Sequence, residues 1–254
     1  MPRYDFTTKR LFVSQDLRPD VAISLDRKQS NYMINVLRHK HHDHILLFNG
    51  RDGEWLSRLE VKARKSASLI PFEQTRPQPK ESQLTYIFAP LKKGRLDYMV
   101  QKAVEMGAGK LQPVITEFTQ NSKINLDKIE ANIIEAAQQC GIISLPKHCV
   151  PLKLEDLLKN WDEAVSLIYC DEGCENQNPF DALNELKKKL AANGGPSHLA
   201  VLIGPEGGFS ETERNMLRDL SFVTSIPLGP RVLRADTAAV AALAIVQATI
   251  GDWR

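Results

Sequence analysis

Apolar residues in the first part of the chain fall in short runs, at Leu11–Val13, Val21–Leu25, Ile45–Phe48, Trp55–Val61 and Ala67–Pro71, and these predict strands. Asn49–Gly53, read NGRDG, supplies a turn between two of them. The helical exception is Asn31–Arg38, where Met33, Ile34 and Leu37 share a face at i, i+1 and i+4. A small β-barrel with one helix is the expected product. Residues 74–83 contain two prolines and no large apolar residue, which is the composition of an exposed linker, so a domain boundary is expected near Pro77.

Beyond that boundary the period changes. Strand candidates at Leu84–Ala89, Leu111–Ile115, Ala164–Cys170, Leu199–Ile203 and Val223–Pro227 are separated by segments of helical period, the pattern of an α/β domain. Leu96, Met99, Val100 and Ala103 form one helix stripe with Gly107 as its stop; Ile129, Ile133, Ala137 and Cys140 form another, stopped by Gly141. Ser210 and Glu213 have the spacing of a capping box, so a helix is expected to begin at Glu211. The last helix, about Thr237 to Ile250, is rich in alanine, which permits close approach of another backbone within the fold or across a dimer.

Composition places the chain among globular proteins, with 254 residues of which 43% are hydrophobic and 25% charged. No apolar run approaches the roughly 20 residues that span a bilayer, and no secretory signal is evident at the start, so a cytoplasmic protein without a membrane partner is expected. Four scattered cysteines read as reduced thiols. The net charge of +2 conceals an asymmetry: residues 1–76 hold 14 Lys and Arg against 9 Asp and Glu, and residues 77–254 hold 19 against 22. A basic N-terminal module suits a polyanionic partner, and is equally the look of an ordinary solvated surface. His39, His41, His42 and His44 raise the question of a metal, but no cysteine stands at ligand spacing beside them and no metal site is expected.

The candidate chemistry lies in two loops. Gly204-Pro205-Glu206-Gly207-Gly208-Phe209 follows a strand directly and therefore stands at the carboxyl end of a sheet, where α/β folds bind ligands. Its glycines let backbone groups approach a flat ligand, although a plain strand-to-helix turn has the same composition. It lacks both the lysine of a Walker loop and the spacing of a dinucleotide fingerprint. Leu228-Gly229-Pro230-Arg231-Val232-Leu233-Arg234-Ala235-Asp236-Thr237 repeats the arrangement after the last strand and adds two arginines and a carboxylate.

Taken together, GPEGGF and LGPRVLRADTA resemble the RsmE family, methyltransferases of the SPOUT class that modify N3 of a uridine in 16S ribosomal RNA. Further matches are RLFV (Arg10–Val13), NVLR (Asn35–Arg38), KKGRLDYMVQKAVEMG (Lys92–Gly107) and EAAQQCG (Glu135–Gly141), so the resemblance covers nearly the whole chain. It implies a PUA-like β-barrel that helps hold RNA over residues 1–73, a linker over 74–83, and a knotted α/β domain over 84–254 whose last helix threads a loop in a deep trefoil knot. It also implies a homodimer with the active site beside the subunit interface. The methyl donor, S-adenosylmethionine, is implied to contact Leu202, Ile203, Gly204, Pro205, Glu206 and Gly207, then Ile226, Leu228 and Gly229, then Val232, Leu233, Thr237 and Ala238. Three positions depart from the family pattern: Asp236 stands for the usual glutamate, Ile142 and Ile143 replace an arginine and polar residues, and Gln29 and Ser30 replace paired histidines.

A guanidinium near O2 or O4 of uracil would stabilise the negative charge that spreads over the ring as N3 loses its proton, a role suited to Arg231 or Arg234. Asp236 and Glu206 are the nearest carboxylates by motif. Lys9, Arg10 and Arg38, with Lys92, Lys93 and Arg95, could contact phosphates, or be solvated charge. Two other readings stay open at this point: a noncatalytic RNA-binding factor of ribosome assembly with the same architecture, and an α/β enzyme using another nucleotide.

Overall fold

The computed structural model describes residue 5 and residues 7–174, 178–192 and 198–253, with the side chain of Lys93 excepted. The chain forms two compact units, Met1–Lys80 with Ala137–Leu145, and Glu81–Ala136 with Pro146–Arg254.

In the first unit β1 (Arg10–Phe12), β2 (Ile23–Ser24), β3 (His44–Phe48), β4 (Glu54–Ala63) and β5 (Ser66–Arg76) build one sheet in the order β1-β3-β4-β5-β2. β1 lies parallel to β3 and the other pairs are antiparallel. Register shifts between β4 and β5 bend this long pair around a core of Val13, Met33, Ile45, Leu47, Leu59 and Leu69. The NGRDG turn forms as its residues dictate. Asn49 Oδ1 accepts the N–H groups of Arg51 and Asp52, and Gly50 and Gly53 take φ of +82° and +80°.

The helix departs from its expected bounds. α1 (Arg27–Asn31) starts earlier because Asp26 caps it, accepting from Gln29 N at 2.7 Å while the Gln29 side chain accepts from Asp26 N. It then widens into a π-helical turn over Tyr32–Val36, which seats Met33 in the core. The strand β5 also runs further than its composition suggests, so residues 74–76 are not linker. Their polar side chains are satisfied inside the unit: Thr75 Oγ1 donates to Glu54 Oε1 at 2.9 Å, and Arg76 donates to Glu54 from Nε at 2.9 Å and Nη2 at 2.6 Å. Arg10 Nε completes this cluster at 2.8 Å from Glu54, whose side chain is 3% exposed. Arg76 also donates to the Gly141 carbonyl at 2.9 Å, and Phe12 N donates to Gln138 Oε1, which holds Ala137–Leu145 in this unit.

The second unit contains β6 (Leu84–Phe88), α2 (Lys93–Glu105), β7 (Lys110–Ile115), most of α3 (Leu126–Cys140), β8 (Lys147–His148), β9 (Leu152–Lys153) and α4 (Leu154–Lys159). They are followed by β10 (Ser166–Cys170), α5 (Pro179–Ala192), β11 (Leu199–Ile203), α6 (Glu211–Arg218), β12 (Val223–Ile226) and α7 (Ala235–Thr249). The sheet is parallel throughout, in the order β12-β10-β11-β6-β7-β8, with β9 also paired to β7. β11 sits inside it and every residue of LAVLI is buried, which is why that strand reads as an unbroken apolar run. Gly107 and Gly141 end α2 and α3 at φ of +83° and +66°. Ser210 and Glu213 form the expected capping box at α6. α7 begins at Ala235, two residues before the expected Thr237, and its Ala239 and Ala242 are buried as it packs on α2, α5 and β11.

Among the described residues, no helix is long and apolar enough to cross a membrane, no disulfide joins any of the four cysteines, and no three His, Cys, Asp or Glu converge as metal ligands would. His39 Nδ1 lies 3.2 Å from Asp43, and His41 Nδ1 accepts from Val61 N.

Candidate active site

Three adjacent parallel strands, β12, β10 and β11, end on one side of the second unit, and the loops that leave them enclose a cavity of about 460 Å³. That volume falls in the roughly 300–1,000 Å³ range of small-molecule sites, at the carboxyl edge where parallel sheets bind ligands. The loop after β11 contributes Ile203, Gly204, Pro205 and Glu206 to its wall. The loop after β12 contributes Leu228, Gly229, Arg231, Val232, Leu233 and Arg234, and α7 closes the wall with Ala235 and Ala238. A Cβ built on Gly229, which has φ of +91°, would meet nothing within 4 Å, so the absent side chain leaves open space beside the backbone. Gly204 is the opposite case. Its Cβ would stand 2.6 Å from the ring of Phe209, which is buried against Tyr169. Gly204→Ala is therefore expected to cost about 1–3 kcal/mol by overpacking, read as a lower melting temperature together with weaker ligand binding in the cavity.

Not every expected contact residue lines this space. Leu202 is buried in the same core cluster as Leu167 and Tyr169, Ile226 is fully buried in β12, Gly207 faces Phe118, and Thr237 is exposed on the first turn of α7. Asp236 is also outside the wall, and its Oδ1 accepts the N–H of Thr237 at 2.9 Å. Arg231 and Arg234 are both exposed on the cavity wall, and neither forms an ion pair among the described residues.

The basic residues expected to meet phosphates divide between the two units. Lys9 and Arg38 are exposed in the first, Arg38 with φ of +59°. Arg10 is corrected: its side chain is 4% exposed and held by Glu54, so no phosphate can reach it in this structure. In the second unit Lys92 is exposed, the side chain of Lys93 lies outside the described residues, and Arg95 lines the cavity 3.5 Å from Glu206.

Several cavity residues carry no motif. Asp171 is 2% exposed after β10; its Oδ2 accepts two N–H groups from Arg218, at 2.9 and 2.6 Å, and its Oδ1 accepts Gly173 N. Glu172, Tyr169 and Arg214 complete this side of the wall, together with Phe209 of the GPEGGF loop. Burial pushes the Cys170 thiol above its ordinary range, which favours its neutral form. The position of Asp171 at a strand's carboxyl end was the one available sequence signal.

A domain model described as RNA methyltransferase domain matches residues 78–247, two thirds of the chain. The chain belongs to this RNA methyltransferase family. A second model, RNA methyltransferase PUA domain, matches residues 25–72, so the methyltransferase carries a PUA-like N-terminal unit before its α/β domain. Relatives named ribosomal RNA small subunit methyltransferase E include one from Rickettsia conorii, 28% identical with 94% of each chain covered, and one from Bacillus subtilis, 25% identical with 91% of this chain and 92% of the relative covered. Among solved structures, a protein of Legionella pneumophila in complex with the cofactor SAM is 27% identical, with a TM-score of 0.77 over 95% of this chain and 98% of that one. The fold is shared with ribosomal RNA small subunit methyltransferase E of Neisseria gonorrhoeae bound to S-adenosyl methionine, at a TM-score of 0.82 and 23% identity, covering 98% and 100%.

Proposed function

We propose that this enzyme uses S-adenosylmethionine to methylate N3 of a uridine in the 16S RNA of the small ribosomal subunit. The observation that carries this reading is the convergence of the GPEGGF and LGPRVLR loops on one cavity, with two arginines unpaired among the described residues at its wall. The residues present fit such a donor: the open backbone at Gly229 admits a flat base, and Pro205, Leu228 and Leu233 supply apolar surface beside it. When bound, S-adenosylmethionine supplies an electrophilic methyl group on a sulfonium.

The chain's own contribution is electrostatic and positional. Arg231 or Arg234 would lie over O2 or O4 of the uracil and hold the charge left as the N3 proton departs. Asp236 and Glu206 are the carboxylates nearest this step by motif; of the two, Glu206 lines the cavity, where Arg95 stands 3.5 Å from it. The N-terminal unit, with Lys9 and Arg38 exposed, would hold RNA by its phosphates. The same reading includes a deep trefoil knot in the α/β domain, cytoplasmic action on ribosomal particles, and a homodimer. The 83% exposure of Val232, an apolar residue between two functional arginines, supports a partner subunit over that loop.

The test is transfer of a labelled methyl group to 16S RNA or small subunits lacking the modification, with the product base mapped by mass spectrometry. Label at uridine N3 is expected. Label on another base or on a ribose hydroxyl overturns the assignment.

A further inference from the structure

We propose that Arg214 grips the carboxylate of the methyl donor's amino-acid tail. This rests on the cavity being the donor pocket. Arg214 leaves the first turn of α6, is half-buried, and lines the cavity. Its Nε donates to the Phe209 carbonyl at 3.1 Å, which fixes the guanidinium against the GPEGGF loop, and among the described residues its terminal nitrogens donate to no other group. They lie beside two glycines: a Cβ on Gly208 would stand 3.4 Å from Nη2 and one on Gly173 3.7 Å from Nη1, both ordinary contact distances.

The neighbouring carboxylate does not neutralise this cation. Asp171 Oδ2 is held by both donors of Arg218, and Oδ1 by Gly173 N. Among the described residues no carboxylate forms an ion pair with Arg214, and Glu172 and Glu206 on the same wall are exposed. A fixed guanidinium inside a pocket selects the part of the ligand that lies against it. S-adenosylmethionine carries two cationic centres, the sulfonium and the ammonium, and one anionic group. Of the donor's charged groups only the carboxylate is attracted to Arg214, and paired N–H donors suit its geometry. Glu172 and Glu206 are then of the right sign for the ammonium, and the open backbone at Gly229 takes the adenine. Arg214 is thus a binding residue that orients the sulfonium by anchoring the far end of the donor. Arg231 and Arg234 are left for the RNA.

Calorimetric titration with two probes separates the possibilities: S-adenosylhomocysteine, which has the tail, and 5′-methylthioadenosine, which lacks it. Arg214→Met is expected to weaken S-adenosylhomocysteine by roughly ten- to a hundredfold and to change 5′-methylthioadenosine by less than about twofold. Arg214→Lys, which keeps the charge and loses the fork, is expected to fall between wild type and Arg214→Met for the first probe only. Equal losses for both probes would mean that Arg214 only supports the loop, and would overturn the proposal. So would an unchanged affinity for S-adenosylhomocysteine accompanied by weaker RNA binding, which would make Arg214 a phosphate contact. Wild-type protein that binds neither probe would overturn the donor-pocket reading itself.

Discussion

Arg234→Ala is expected to slow single-turnover methyl transfer to ribosomal RNA by about 100- to 1,000-fold, the cost of removing one preorganised charge-stabilising group, while affinity for S-adenosylhomocysteine changes little. The reason lies in where the chain places this side chain. Arg234 is the N-cap of α7, with extended backbone and no side-chain bond to the helix, so its guanidinium is not occupied by capping. It is exposed on the cavity wall and has no ion pair among the described residues. A group so placed can meet charge that develops on a substrate base at the mouth of the cavity. The measurement is the rate at saturating enzyme, set beside RNA affinity in the same buffer. Full turnover with unchanged RNA affinity would remove Arg234 from the chemistry. A normal saturating rate with weakened RNA binding would make it a positioning contact to the backbone. Arg231→Ala, measured in parallel, tells which of the two arginines faces the base.

Glu54→Ala is expected to destabilise the N-terminal unit by about 3–5 kcal/mol, because it leaves two guanidinium groups without their buried counter-ion. Glu54 accepts from Arg10, Arg76 and Thr75 at once, and Arg76 in turn holds the Gly141 carbonyl. Burial opposes ionisation of this carboxyl, and the hydrogen bonds and charges of Arg76 and Arg10 outweigh it, so it titrates below the ordinary carboxylate range. A carboxyl whose pKa is lower in the folded chain stabilises it fully above the unfolded value, and that contribution is lost as pH falls through the lowered value. Acid should therefore loosen the N-terminal unit of the wild type below about pH 4.5, the ordinary value of a glutamate. Glu54→Gln should be less stable at neutral pH and show a flatter acid limb. Denaturant titrations at neutral pH and along a descending pH series check both. A loss under about 1 kcal/mol in Glu54→Ala would mean that the arginines find solvent on their own.

The α/β domain was legible because its strands are buried on both faces. Leu199–Ile203 reads as an unbroken apolar run for that reason, and the glycines at 107 and 141 and the Ser210–Glu213 box mark helix ends by local chemistry alone. The N-terminal unit was less legible. Residues 74–76 carry a linker's composition, yet they are strand, because Glu54 lies opposite to satisfy Thr75 and Arg76. α1 begins at Arg27 because an Asp–Gln pair caps it, and the four residues that follow Asp26, Arg27 to Ser30, carry no apolar side chain to mark a helix.

The candidate site divides along the same line. Sequence by itself determined that two glycine-rich loops follow parallel strands, that arginines stand in the second, and that helices begin just after each, since all of these depend on residues close in the chain. Only the tertiary structure decided which side chains share the cavity. Leu202 and Ile226 belong to matching motifs and yet are buried in the sheet, since their side chains are part of its packing. Arg10 looks like a phosphate contact until Glu54, far away in sequence, buries it. Arg214 and Asp171 carry no motif and reach the wall because α6 and the end of β10 meet beside the GPEGGF loop. Local patterns specify backbone paths through short-range sterics and hydrogen bonds, whereas burial and charge pairing depend on partners that only the folded chain brings within a few ångströms.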